Sequence, residues 1–336
     1  MNNFPFMASS FELIGVGNPI MDILAHVDDA FLRRHVAGDK GGMVLVDHAD
    51  INTLLGHLGS AVAMAPGGSA ANATLGATLL GLKTTYLGKI GADKTAEDYR
   101  ANFKAAGGDD SRFKHATMPH GRCLSMVTPD GQRTMRTHLG AAMTLSPDEI
   151  SAADFAGAKH AHIEGYLLFN PALAQKVIDT ARAANCTISL ELSSFEVVNV
   201  ARDWILEQLK LGVDIVFANE DEARALFRTD ASYDAYARKL AGYGGIAAVK
   251  IGKDGAWVAK GEELHRIAPV SVARVTDTTG AGDAWAAGFL FGHLRGKSLA
   301  ASGALGSALG AECVQHLGAS IPESRWPHLR TLADSL

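Results

Sequence analysis

Short apolar runs that alternate with helical stretches constrain this chain most. His160–Glu164, Thr187–Leu190, Val213–Ala218 and Ile246–Ile251 are brief and apolar. Around them, Pro171–Ala184, Val197–Leu211, Glu220–Phe227 and Tyr233–Gly242 carry helical spacing. Runs of that length without alternation suit strands buried on both faces of a parallel sheet. The order predicts an α/β fold: a central, mostly parallel sheet flanked by helices. Glu12–Gly17 and Thr84–Ile90 read as further strands, and Thr95–Ala106 as a helix.

Two stretches break the pattern. Ile23–Val46 and Arg122–His138 hold short strand-like pieces with polar alternation and a turn signal at Pro129-Asp130-Gly131. They read as a small half-exposed β-sheet, a lid covering about 23–47 and 121–138, inserted into a single unit spanning residues 1–336. No internal repeat or long linker divides the chain.

Composition narrows the function classes. With 47% hydrophobic and 20% charged residues the chain can bury a large core, which excludes wholesale disorder. A net charge of −5 without a basic run argues against nucleic acid as a partner. The longest stretch free of Asp, Glu, Lys and Arg, from Ile51 to Leu82, is broken by Pro66-Gly67-Gly68 and is no membrane span. The first Lys or Arg is Arg33, which argues against a secretory signal. Cys123, Cys186 and Cys313 are too scattered for a disulfide framework and read as free thiols of a cytoplasmic protein.

The most informative local feature is Asp277-Thr278-Thr279-Gly280-Ala281-Gly282-Asp283. A strand-like run, His265–Val275, precedes it and a helical pattern, Ala284–Arg295, follows. Glycines let a ligand approach the backbone, and a helix start offers unpaired N–H groups and the positive end of a dipole, so the loop suits a phosphate. Asp283, at the helix entrance, is either an N-cap or a general base that takes a proton from an attacking hydroxyl. Two other glycine loops carry less. Gly292-His293-Leu294-Arg295-Gly296-Lys297-Ser298 has one residue too few for a Walker loop and reads as a turn between helices. Gly15-Val16-Gly17-Asn18-Pro19-Ile20 has Ile20 where a dinucleotide fingerprint needs its third glycine.

The loop Asp277–Asp283 resembles the carboxyl-terminal signature of the PfkB (ribokinase-like) carbohydrate and nucleoside kinases. Gly67-Gly68-Ser69-Ala70-Ala71-Asn72 resembles their amino-terminal glycine signature, and Asn219-Glu220-Asp221-Glu222 their Asn-x-x-Glu motif. All three occur in the family's order. The resemblance implies a three-layer α/β sandwich with a small β-lid, and transfer of the γ-phosphate of ATP to a hydroxymethyl group. It implies that Asp283 is the base, that Gly280, Ala281 and Gly282 build the anion hole, and that Asn219 and Glu222 organise phosphate and Mg²⁺, Glu222 through water. By the same resemblance Lys250, Gly252, Gly255 and Thr278 line the ATP site, although Gly252 and Gly255 also read as a simple turn. A monovalent cation such as K⁺ is a further ligand known in the family.

The segment Gly17–Ile23 resembles the adenosine-kinase version of the first strand's end. Asp22 would there accept hydrogen bonds from two vicinal ribose hydroxyls, a task one carboxylate can perform bidentately. Asn18, Gly67, Gly68 and Asn72 would complete the ribose contacts. Arg133 matches a lid arginine that closes over the phosphates, and Arg136 could share that role. Tyr166 and Phe195 follow strands and could stack on a base at the sheet's carboxyl edge, or be core residues; Cys123 could line the same slot. The leading expectation is phosphorylation of the 5′-hydroxyl of a ribonucleoside, adenosine first. A ribokinase- or fructokinase-like sugar kinase is the alternative, and a non-catalytic nucleoside-binding module a distant one. The expected partner is a small nucleoside or sugar, with the chain a monomer or a homodimer paired through its lids.

Overall fold

The computed structural model describes residues 11–336 except Asp39, Ala61 and Gly131. The first ten residues, and Gly131 of the predicted turn, therefore lie outside the described residues. Fifteen strands are described: β1 Phe11–Val16, β2 Ile20–His26, β3 Met43–Leu45, β4 Val62–Gly67, β5 Thr84–Leu87, β6 Lys89–Ile90, β7 Lys114–His115, β8 Gly121–Val127, β9 Arg133–His138, β10 Ala158–Glu164, β11 Thr187–Glu191, β12 Ile215–Asn219, β13 Ile246–Lys250, β14 Ala256–Lys260 and β15 Glu263–Ile267. The α-helices are α1 Asp29–His35, α2 His48–Leu58, α3 Ser69–Leu80, α4 Lys94–Ala105, α5 Ala152–Phe155, α6 Pro171–Ala183, α7 Phe195–Gly212, α8 Glu220–Phe227, α9 Tyr233–Ala241, α10 Ala281–Leu294, α11 Leu299–Cys313 and α12 Trp326–Ser335.

Eight strands form one sheet in the order β15-β14-β13-β12-β11-β10-β1-β5. From β13 to β5 every pair is parallel, while β14 and β15 run antiparallel at one edge. Alternate residues explain why these strands read as continuous apolar runs. Ile14, Ile163, Leu190, Val216 and Val249 pack with Leu173, Val198 and Leu240 of α6, α7 and α9 on one face. Leu13, Phe217 and Ala248 pack with Ala77, Phe289 and Leu305 of α3, α10 and α11 on the other. The second face also carries buried polar groups, among them His160, His162, Glu164, Ser189 and Glu191.

A second sheet runs β3-β9-β8-β2-β4. One face, with Met21, Ile23, Leu124 and Met126, packs on α2 and α4 through Leu54, Tyr99 and Phe103. Its strands come from the two irregular stretches and from one more, β4, in the uncharged small-residue segment where no strand was expected. The first stretch also holds a helix, α1, whose N-cap Asp28 accepts from the Phe31 amide.

Two expected strands are shorter. Thr84–Ile90 breaks at Gly88, where a Cβ would meet Gly17 O and Pro19 Cδ at 2.7 Å, and β6 leaves to pair with β7. The run His265–Val275 is strand only to Ile267; Pro269 has no N–H to extend the ladder. The Walker-like loop is a turn between α10 and α11, with Ser298 capping α11.

Candidate active site

Four buried parallel strands end in polar side chains at one edge: β10 in Glu164, β11 in Glu191, β12 in Asn219 and β13 in Lys250, with Glu164 and Glu191, and Asn219 and Lys250, as register partners. Over this edge runs the loop into α10. Asp277 organises it, accepting from Thr279 N at 3.0 Å, Thr279 Oγ1 at 2.6 Å and Gly318 N at 2.9 Å. Burial opposes the Asp277 charge, yet those bonds and the nearby Arg133 hold its carboxyl below the usual range. Gly280 has φ +70°, and a Cβ there would fall 2.3 Å from that of Ala319. Only glycine turns the chain into the helix at this point.

The helix begins at Ala281, so its N-cap is Gly280 and Asp283 lies inside the first turn. The N-cap alternative for Asp283 is thereby removed. Its carboxylate instead crosses to α3, accepting from Ser69 Oγ at 2.8 Å and Asn72 Nδ2 at 2.9 Å. Burial raises its pKa, and Asn72, Ser69 and Lys250 oppose the rise. The Ala281 amide donates to Thr278 O at 3.3 Å, so this member of the expected anion hole is engaged. The amides of Gly280, Gly282 and Asp283 have no protein acceptor among the described residues. The open donors are thus two of the three expected, with Asp283's own amide as the third.

Asp22 faces this carboxylate from β2. Burial and Asp283 push it up to about 7, against the opposing charge of Arg133. The glycine pair makes this possible: a Cβ on Gly67 would lie 2.3 Å from the Asp22 carboxylate, and one on Gly68, at φ +100°, 2.3 Å from Asn18 O. Cys123, the register partner of Asp22, accepts from Thr137 Oγ1 at 3.3 Å, and burial pushes its thiol up to about 11. Arg133 reaches across from β9, donating to Thr279 Oγ1 with its Nε 3.5 Å from Asp277. Arg136 does not share that role. It donates to Ala37 O and Met135 O and is buried on the opposite face.

Lys250 Nζ donates to Glu191 Oε1 at 2.8 Å and lies 3.1 Å from where a Gly282 Cβ would sit. Burial disfavours its charge, but Glu191 and Glu222 outweigh that and keep it protonated. Asn219 and Glu222 form a closed capping box at the start of α8, each of three bonds 2.8 Å long. Burial pushes the Glu222 carboxyl up to about 7, with Lys250 opposing and Glu191 adding to the rise. Gly252 and Gly255, at φ +51° and +94°, form the tight turn between β13 and β14, and Gly255 has Ile267 O 2.1 Å from any Cβ. Neither hydrogen-bonds the Asp277–Asp283 loop, and the Thr278 side chain is exposed.

Tyr166 and Phe195 are not core residues. They are 39% and 48% exposed, beyond the ends of β10 and β11. Burial and the charges of Asp283, Glu164 and Glu222 raise the Tyr166 pKa, which puts the phenol beside the acidic centre. Sequence reading assigns no role to Ser69, Glu164, Glu191 or Asp277. The signal for Glu164 and Glu191 was a carboxylate closing an apolar strand, since such residues are almost never buried without a partner.

The chain matches the pfkB family carbohydrate kinases over residues 44–326. The adenosine kinase of Sinorhizobium meliloti superposes with a TM-score of 0.84 at 33% identity, covering 97% of this chain and 99% of that one. An uncharacterized sugar kinase of Archaeoglobus fulgidus is 30% identical over 73% of this chain and 96% of its own length. Adenosine kinase 2 of Arabidopsis thaliana is 27% identical over 94% of this chain and 99% of its own. These likenesses define an ATP-dependent phosphotransferase acting on an alcohol of a nucleoside or sugar, built on the ribokinase-like fold. The chain belongs to the pfkB family of carbohydrate kinases.

The residues present fit the nucleotide and ion that such a kinase uses. Unpaired amides at a helix start suit anionic phosphoryl oxygens. Among the described residues no group of three or more His, Cys, Asp or Glu could cage a metal. A hydrated Mg²⁺ carried on phosphates, with one or two carboxylates nearby, is the form that suits such a donor set.

Proposed function

We propose that the protein transfers the γ-phosphoryl group of MgATP to the 5′-hydroxyl of a ribonucleoside, adenosine first. The observation that carries this reading is the pair Asp22 and Asp283, close enough for the Asp283 charge to raise the Asp22 pKa and flanked by unpaired amides. Asp22 accepts from the two vicinal ribose hydroxyls, as a single carboxylate can. Asp283 takes the 5′-hydroxyl proton as that oxygen bonds to phosphorus and the bond to the leaving ADP oxygen breaks. The amides of Gly280, Gly282 and Asp283 hold the migrating oxygens, and Arg133, already bonded to Thr279, supplies positive charge from the second sheet. Mg²⁺, when bound with the nucleotide, would neutralise charge between its phosphates, with Asn219 and Glu222 ordering the surrounding water. Exposed Tyr166 and Phe195 offer flat apolar surface for a base. The second sheet acts as the lid of one kinase domain.

A free-sugar kinase is the second reading, favoured by the Archaeoglobus fulgidus relative. ADP release with adenosine, inosine, guanosine, cytidine, ribose and fructose as acceptors separates the two. Adenosine is expected to be best and ribose at least about 10²-fold worse in kcat/KM, because a bound base adds binding energy the sugar lacks. Comparable rates for ribose would replace the nucleoside reading with the sugar one. The reading includes a cytoplasmic enzyme, monomeric or paired through the lids. The fully exposed edge strand Met43–Leu45 supports pairing, and sizing chromatography decides it. No helix among the described residues is long and apolar enough to cross a membrane.

A further inference from the structure

Glu164 is 1% exposed, and its carboxylate is shared by three elements. Oε1 accepts from both the backbone N and the side-chain Nδ2 of Asn18, each at 2.8 Å. Oε2 accepts from Ala70 N at 3.1 Å. That amide belongs to the first turn of α3, whose N-cap, Gly68, makes no side-chain bond. Glu164 is therefore the cap that α3 lacks, supplied from a strand 94 residues away. The fit is close, since a Cβ on Gly17 would lie 2.2 Å from Glu164 Oε2.

The two things this carboxylate holds are the two halves of the proposed centre. Asn18 leads into β2 and Asp22. The first turn of α3 carries Ser69 and Asn72, which grip Asp283. We propose that Glu164 is a positioning residue that sets Asp22 and Asp283 at their working separation by tying the Asn18 turn to the amino end of α3. This rests on the reading of Asp22 as the acceptor-binding group and Asp283 as the base.

Three N–H donors converge on two oxygens, so the brace works as an all-acceptor carboxylate. A proton on either oxygen would set donor against donor. The groups whose charges reach Glu164 are Asp283 from α10, Tyr86 from β5, Tyr99 from α4 and Tyr166 above β10. The three tyrosines, all raised by burial, are neutral at neutral pH. Burial and Asp283 push Glu164 up to about 7, with the Asn18 and Ala70 bonds opposing. The brace therefore loosens as pH falls through about 7.

The test compares wild type with Glu164→Gln, which keeps the shape and turns one acceptor into a donor, and with Asn18→Ala, which removes one donor. Glu164→Gln is expected to raise the acceptor KM at least about 10-fold and leave the ATP KM within about 2-fold. It should also lower by one the slope of log kcat/KM against pH on the acid limb. Asn18→Ala should raise the acceptor KM and keep the wild-type slope. Hydrogen exchange of the segments holding Asn18 and Ala70, read without any substrate, should quicken in both variants. Unchanged acceptor KM and slope in folded Glu164→Gln, or an equal rise in both KM values, overturns the proposal. Should Glu164→Gln fail to fold, unchanged exchange and acceptor KM in Asn18→Ala overturn it. If wild type phosphorylates no nucleoside or sugar, the acceptor reading fails by itself, and the exchange measurement still decides whether Glu164 is the brace.

Discussion

Asp283 is held by opposing forces. Burial raises its pKa, while Ser69, Asn72 and Lys250 favour its charged form. A carboxylate whose pKa is raised is a stronger base than a free one, which suits proton removal from an alcohol. Asp283→Asn keeps the shape and loses the basicity. It is expected to lower kcat by about 10²–10⁴-fold, with acceptor binding retained in calorimetry. Loss of binding in step with kcat would assign Asp283 to the acceptor pocket instead. Asp22 shows the cost of the same environment. Its folded pKa of about 7 is raised from 3.8, so its contribution to stability is present below the lower value and lost as pH rises through the higher one. Asp22→Asn should therefore gain thermal stability over wild type as pH rises. The gain should be smaller at pH 5 than at pH 8, where it reaches roughly 2–4 °C. A gain that shrinks with rising pH would contradict the assigned environment.

Among elements, β9 separates two arginines that the sequence left as alternatives. Three residues apart on a strand, Arg133 and Arg136 point to opposite faces. Arg133 meets Thr279 and Asp277; Arg136 is buried against Ala37 O. Arg133→Ala is expected to raise the ATP KM by about 10-fold, as loss of a charge-assisted contact does. Arg136→Ala should leave that KM unchanged and lower the thermal midpoint, because it removes buried packing and leaves a carbonyl without its donor. Steady-state kinetics with a melting curve on both variants checks the pair, and equal effects on the ATP KM would refute the division of labour. The same logic of faces explains the helix pair α3 and α10. Small residues let them approach closely: a Cβ on Gly76 would lie 2.7 Å from that of Ala287. That approach brings Ser69 and Asn72 within hydrogen-bonding distance of Asp283.

At the scale of the whole molecule, the parallel sheet gathers the polar ends of strands distant in sequence, and the second sheet covers them from above. Asp22 arrives on β2, Arg133 on β9 and Asp283 on α10, and no two of these are local neighbours. Like charges collect as a result. Asp22, Glu164 and Glu222 each stand near 7, burial being the largest cause in all three. Arg133 and Lys250 are the cations that oppose the rise, Arg133 at Asp22 and Lys250 at Glu222 and Asp283. A site so arranged suits a neutral polyhydroxyl acceptor beside an anionic donor, each drawn to its own end of the cleft.

Local sequence determined much of this protein. Apolar runs and helical spacing marked the parallel strands and the helices between them, because periodicity and turn chemistry act within about ten residues. The glycine loop before α10 was legible for the same reason: its φ values and free amides belong to consecutive residues. Tertiary structure alone decided the rest. It took Asp283 from a cap of its own helix to a partner of α3, withdrew the Ala281 amide, and chose Arg133 over Arg136. It also brought Glu164 to Asn18 and Ala70, 146 and 94 residues away. Such choices depend on which faces pack together and what burial does to a charge, and neither is encoded in any short stretch of chain.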